Sequence, residues 1–78
     1  MGVPRMAAQF YEKYFLISRP RYDKELRAWV PYVRIYWGGD EFYHHALKDL
    51  VERFETQEEA LAFGFSAARL WLDEHKSD

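Results

Sequence analysis

The sequence predicts one α+β domain in which a three-stranded antiparallel sheet packs against one C-terminal helix. The first observation is a helix signal. Thr56 followed three residues later by Glu59 is a capping box, and apolar residues recur at helical spacing from there to about His75. The second observation is that the preceding segments are rich in aromatic and β-branched residues, as strands are. With 78 residues, 49% of them hydrophobic, the chain can bury one small core.

The N-terminal part of the chain predicts a strand and then a loop. We expect residues 1–9 to form a flexible N-terminal segment and residues 10–76 to form the single domain. Residues 10–18 are dense in aromatic and β-branched side chains, which predicts the first strand. Residues 19–25 contain a proline and a cluster of charges, which predicts a loop.

Residues 27–37 predict the second strand. Because side chains alternate along a strand, its residues divide between a core face and an outer face. The core face is expected to contain Trp29, Val33 and Ile35, and the outer face Tyr32, Arg34 and Tyr36. Pro31 has no backbone N–H, so we expect a bulge or an unpaired stretch there.

The segment after the turn signal Gly38-Gly39-Asp40 supports two interpretations. Strand propensity directly after a hairpin turn favours a third strand near residues 41–47, followed by an irregular passage to Phe54. Apolar residues at helical spacing through the same segment support a helix instead, which gives a β-hairpin plus two helices as the alternative fold. The strand is preferred because a helix would leave about two residues before the Thr56 cap and has no stop signal.

The C-terminal helix has an apolar arc that is wider than one sheet face covers. The stripe expected against the sheet consists of Ala60, Gly64, Ala67, Ala68 and Trp71. Leu61, Phe65 and Leu72 lie on one edge of that stripe. Either the N-terminal segment folds over part of this arc, so that the core is packed from two sides, or another copy of the chain covers it, which would make a homodimer or another protein the partner.

Charge is unevenly distributed along the chain. The net charge of −2 combines +4 over residues 1–37 with −6 over residues 38–78. A basic half beside an acidic half is a sign of a charged partner or of self-association through opposite patches, but for so short a chain unevenly spread solvated charge is the preferred interpretation. There is no cysteine, which excludes disulfides and thiolate chemistry, and no apolar run of membrane-spanning length. We expect a cytoplasmic protein with no membrane partner.

The candidate chemistry does not indicate an enzyme, a metal or a cofactor. His44 and His45 are adjacent, so on a strand they point to opposite faces and cannot easily bind one metal ion. The chain has no nucleophile-elbow or phosphate-cradling motif, and its paired carboxylates fall on the exposed side of the predicted helix. We therefore expect a non-enzymatic protein.

The basic and aromatic first half predicts a binding module. Cations on a sheet can neutralise phosphates, and tyrosines can stack on bases. The residues expected to hold phosphates are Arg19, Arg21, Arg27 and Arg34, and those expected to stack are Tyr32 and Tyr36. The alternative is a protein–protein or homodimer interface on Leu61, Phe65 and Leu72.

The residues Trp29-Val30-Pro31-Tyr32-Val33-Arg34, followed by Phe54-x-Thr56-x-Glu58-Glu59-Ala60 and Ala67-Ala68, resemble the plant ethylene-response-factor DNA-binding domain. That family and the arm-type DNA-binding domains of some phage integrases have a three-stranded sheet packed on one helix. The resemblance, which covers about half of the chain, implies that the sheet lies in the DNA major groove and that Arg34 faces outward to contact it.

The chain departs from that family at several positions. It lacks the opening Tyr-Arg-Gly, the Gly-Lys before the second strand and the basic third strand, and Tyr32 stands where the family has an acidic contact residue. The helix motif is generic, and the chain is similar also to several small uncharacterised bacterial domains of the same plan. The resemblance implies the fold, and DNA binding follows from it only as an expectation.

Overall fold

The computed structural model describes residues 6–38 and 43–75. In these residues the chain is α+β, with antiparallel sheets and one C-terminal helix packed on them, as predicted. The elements are β1 (Ala7–Tyr11), β2 (Tyr14–Ser18), β3 (Arg21–Asp23), β4 (Ala28–Val30), β5 (Val33–Trp37), β6 (Tyr43–Leu47) and α1 (Gln57–His75).

The three-stranded sheet of the prediction is replaced by two sheets. A four-stranded sheet has the order β1-β2-β5-β6, and a two-stranded sheet consists of β3 and β4. The first predicted strand is in fact two strands, because the chain reverses at Glu12-Lys13 and β1 pairs with β2. Glu12 has a positive φ of 57°, a conformation that the turn requires but that glutamate does not signal. Ala7–Gln9 belong to β1, although the sequence predicted that they lie in the flexible N-terminal segment.

Strands β2 and β3 run opposite β4 and β5 as one long hairpin that is interrupted in its middle. The register is the same on both sides of the interruption, which places Pro20 opposite Pro31. Both prolines are buried, and neither has an N–H to donate, so the ladder stops there. Beside them the Arg19 N–H still donates to the Tyr32 carbonyl at 2.8 Å.

The interruption accounts for two differences from the prediction. Residues 27–37 form two strands rather than one, although the unpaired stretch expected at Pro31 is confirmed. Residues 19–25, expected to be a loop, contain β3, because the chain resumes pairing directly after Pro20. The reversal lies further on, where Asp23 Oδ1 accepts hydrogen bonds from the N–H groups of Glu25 and Leu26.

The strand interpretation of the middle segment is correct for the residues described. β6 covers Tyr43–Leu47, and an irregular passage leads from there to Phe54. The alternative with a second helix is wrong for residues 43–54; positions 39–42, which include part of the turn signal, lie outside the described residues. Phe54 forms an antiparallel bridge with Trp29, which connects the smaller sheet to the start of α1.

Helix α1 begins after Thr56, as predicted. Thr56 Oγ1 accepts the Glu59 N–H at 3.1 Å, while the Thr56 hydroxyl donates to Glu59 Oε1 at 3.0 Å. The buried residues of the helix are Ala60, Gly64, Phe65, Ala68 and Leu72. Relative to the prediction the buried stripe is rotated, because Ala67 and Trp71 are only half-buried while Phe65 and Leu72 enter the core.

The helix covers one face of the four-stranded sheet from edge to edge. At the β1 edge, Arg69 donates to Gln9 at 2.7 Å and the Tyr11 hydroxyl donates to Asp73 at 2.9 Å. In the centre, the fully buried side chains of β2 and β5 are Leu16, Ser18, Val33 and Ile35. At the β6 edge the rings of His45 and Trp71 stack with their centroids 4.5 Å apart. The opposite face of this sheet carries no described element.

Candidate functional site

The candidate site is the face of the four-stranded sheet that α1 does not cover. Strand alternation, fixed by the pairing register, assigns the residues of this helix-free face. They are Ala8, Phe10, Phe15, Ile17, Arg34, Tyr36, His44 and Ala46. None of these eight is an aspartate or a glutamate, so the strand residues described on this face include no carboxylate to repel an anion.

An aromatic row crosses the helix-free face, with one ring from each strand. Phe10 pairs with Phe15, Phe15 with Tyr36, and Tyr36 with His44, and the centroid separations are 4.9, 6.4 and 6.0 Å. Phe10 is 76% exposed. An aromatic side chain this exposed gains little from folding, so its placement favours contact with a partner.

Arg34 lies beside this row and is held by tyrosines. Its Nη2 donates to the Tyr32 hydroxyl at 2.7 Å, and the guanidinium carbon lies 5.9 Å from the centre of the Tyr32 ring. Hydrogen bonds from Arg34 to Tyr32 and then to Tyr36 raise the pKa of the guanidinium above its usual value. The site therefore has a permanent cation whose orientation is fixed by the neutral hydroxyls of two tyrosines.

The Nε of Arg34 is covered by neighbouring atoms and has no hydrogen-bond partner among the residues that the structure describes. A covered N–H without a partner gives up its hydration with no compensating hydrogen bond. A leucine or methionine at this position would avoid that cost. The presence of arginine here therefore favours a role in binding over a role in stability.

Two further arginines extend the positive charge along the long hairpin. Arg19 and Tyr32 line two adjoining concavities of the surface. One concavity also contains Arg34 and Tyr36, and the other contains Arg21. The structure therefore brings together five of the six residues predicted to contact nucleic acid. The sixth, Arg27, lies in the β3–β4 turn with a φ of 53° and lines neither concavity.

Sequence reasoning missed three of the four aromatic residues of the row, Phe10, Phe15 and His44. For Phe10 and Phe15 the missing information was the reversal at Glu12-Lys13, and for His44 it was the pairing of β6 with β5. Without the reversal, Phe10 and Phe15 fall on opposite faces of a single strand, since they lie an odd number of positions apart along the chain. Only the pairing of β1 with β2 places both on one face.

The apolar edge predicted as a protein interface is part of the core. Phe65 is 6% exposed and Leu72 is 2% exposed, and Leu61 packs against the same cluster. The reason is the rotated helix stripe, which turns this edge toward β2 and β5. Phe65 and Leu72 therefore offer almost no exposed surface to a second copy of the chain, and Leu61 is only partly exposed.

The two adjacent histidines point to opposite faces, as predicted. His44 lies on the helix-free face beside Tyr36, while His45 stacks on Trp71 beneath the helix. The remaining face of Trp71 stacks on His75 at 4.2 Å. No group of three or more metal-binding side chains occurs in residues 6–38 and 43–75.

A comparison with protein families decides the classification. The model of a family described as a domain of unknown function (DUF6566) matches residues 5–78. The chain belongs to the DUF6566 family. No curated protein and no solved structure is detectably similar to this DUF6566 chain.

The comparisons therefore identify a small uncharacterised domain, and nothing in them links DUF6566 to the ethylene-response-factor or integrase domains. Bacterial origin and cytoplasmic location stay predictions. In the described part of the DUF6566 chain, no helix has the length and apolar character that are needed to cross a membrane.

Proposed function

We propose that this DUF6566 domain is a non-enzymatic module that binds nucleic acid through its helix-free face. The observation that supports this most is Arg34, a fixed cation with a covered, unpartnered Nε, set between Tyr32 and Tyr36 beside the aromatic row. Arginine can contact phosphate while aromatic rings stack on bases. In this domain the arginine and the aromatic rings lie together on the helix-free face.

The distribution of charge favours the same surface. Helix α1 carries Glu58, Glu59, Asp73 and Glu74 on the side of the domain remote from the face. The helix-free face and the two concavities beside it carry Arg19, Arg21 and Arg34. An anionic polymer is therefore attracted to one side of the domain and repelled by the other, even though the net charge is −2.

Fluorescence polarisation with labelled DNA and RNA oligonucleotides tests the proposal. We expect binding at about 50 mM salt that weakens steeply as salt rises, because counterions are released from neutralised phosphates. The double variant Arg19→Gln/Arg34→Gln should lose most of this binding. Arg34→Gln alone should weaken it measurably, whereas Arg53→Gln, which also removes one positive charge but lies before α1 and outside both arginine-lined concavities, should retain it. No binding to any oligonucleotide at low salt would refute the proposed function.

A further inference from the structure

We propose that the ligand of the helix-free face is an unpaired nucleic-acid strand whose bases stack on the row Phe10–Phe15–Tyr36–His44. This inference rests on the proposed function and specifies its substrate class. It differs from the duplex contact in the major groove that the sequence resemblance implied. Three features of the face support it: its width, its cation distribution and its spacing.

The face is too wide for a duplex groove. Neighbouring strands lie about 4.8 Å apart, so a four-stranded sheet with its side chains is wider than the major groove, which is about 12 Å across and admits a helix or a two-stranded ribbon. The row uses all four strands, and its outer members Phe10 and His44 belong to the two edge strands. A duplex could therefore not contact the whole row in its groove.

Among the described residues of the sheet, the cations do not lie where a duplex groove would need them. A sheet inserted in a groove meets a phosphate backbone at each edge, so both edge strands should carry positive charge. On the helix-free face, β1 contributes Ala8 and Phe10, and β6 contributes His44 and Ala46. Arg34, the arginine that the described part of this face contains, lies instead on the interior strand β5. This distribution of positive charge fits a single sugar-phosphate backbone that crosses the face, not the two backbones that flank a groove.

The spacing matches a single strand that crosses the sheet. Ile17 and Arg34 form the next row on this face, two residues along each strand from Phe15 and Tyr36, which is about 7 Å away. Arg19 and Tyr32 continue in the same direction. A strand lying along the aromatic row can therefore place its bases on the rings and its phosphates toward the arginines. Exposed bases are required, because ring stacking needs a free base face.

Binding should be compared between a labelled single strand of about eight nucleotides and the duplex formed with its complement, at one salt concentration. We expect the single strand to bind at least tenfold more tightly than the duplex. An abasic single strand of the same length should bind at least about a hundredfold more weakly than the intact one, because it keeps the phosphates but loses the stacking on all four rings.

A matched pair of variants assigns the stacking to the row. Phe10→Ala should weaken single-strand binding roughly tenfold, since one base loses its ring. Leu70→Ala, which removes a 60%-exposed apolar side chain from α1, should leave the binding unchanged. Both side chains are largely exposed, so neither variant is expected to unfold the domain, and circular dichroism checks this.

The outcomes separate the two proposals. Equal or tighter binding of the duplex would overturn the single-strand inference while leaving nucleic-acid binding intact. Retention of binding by the abasic strand or by Phe10→Ala would overturn the stacking role of the row. Absence of binding by every oligonucleotide would instead remove the proposed function itself.

Discussion

Ser18 of β2 lies directly beneath Gly64 of α1, and its hydroxyl donates a hydrogen bond to the Leu61 carbonyl at 2.8 Å. A β-carbon added at Gly64 would overlap the Ser18 Oγ. The close approach of helix and sheet therefore depends on glycine at this position. It is the contact that the stripe of small residues in the sequence predicted.

Replacing Gly64 by alanine should destabilise the domain by about 1–3 kcal/mol, because the overlap with Ser18 outweighs the gain in helix propensity of about 1 kcal/mol. Denaturant unfolding measures the free energy. In a Ser18→Ala background the oxygen is absent, and Gly64→Ala should then be neutral or stabilising. An equal cost in both backgrounds would contradict the contact described.

Leu72 and Leu70 lie two residues apart on α1 but differ in exposure, at 2% and 60%. Leu72→Ala should therefore cost about 2–5 kcal/mol of unfolding free energy, whereas Leu70→Ala should change it by less than about 0.5 kcal/mol. Thermal and denaturant unfolding compare the two variants directly. A similarly small loss of unfolding free energy in both variants would mean that α1 does not turn Leu72 toward the sheet.

The Thr56 cap should contribute about 1 kcal/mol to the free energy of unfolding, since Thr56→Ala removes the acceptor of the Glu59 N–H. Ser66→Ala is a matched control, because Ser66 is an exposed hydroxyl residue inside the same helix. Chemical denaturation should show a loss of stability for Thr56→Ala only. Equal stability of the two variants would show that another group satisfies the first helical turn.

Arg34→Leu separates binding from stability. The variant removes a covered N–H that has no partner among the described residues, so the unfolding free energy should stay within about 1 kcal/mol of the original chain or increase. Binding of oligonucleotides should weaken about tenfold. The slope of the log binding constant against log salt concentration should become shallower by about one, which is the contribution of one phosphate contact. A large loss of stability with unchanged binding would make Arg34 a structural residue.

The features that could be predicted from the sequence are those signalled by local chemistry. The Thr56 capping box predicted where α1 begins, and strand alternation predicted that Val33 and Ile35 would be buried while Arg34 and Tyr36 would face away from the helix. The break at Pro31 followed from its missing N–H. Each of these depends on a residue and its immediate neighbours.

The features that could not be predicted depend on long-range pairing. The turn at Glu12-Lys13 has none of the residues that favour a positive φ, so β1 and the aromatic row were missed. Pro20 predicted a loop, but in the structure it only interrupts a ladder that resumes at Arg21. This could not be foreseen, because the position of Pro20 opposite Pro31 depends on the pairing register. The burial of Phe65 and Leu72 similarly follows from how α1 is rotated over the sheet, which a wide apolar arc does not determine.

The most direct test of the account is a chemical-shift titration of the ¹⁵N-labelled domain with a short single-stranded oligonucleotide. We predict saturable shifts confined to the helix-free face and the adjoining hairpin, including Phe10, Arg19, Arg34 and Tyr36, with little change along the exposed side of α1. Shifts that concentrate on α1, or a spectrum that stays unchanged at low salt, would contradict the claim that this face binds nucleic acid.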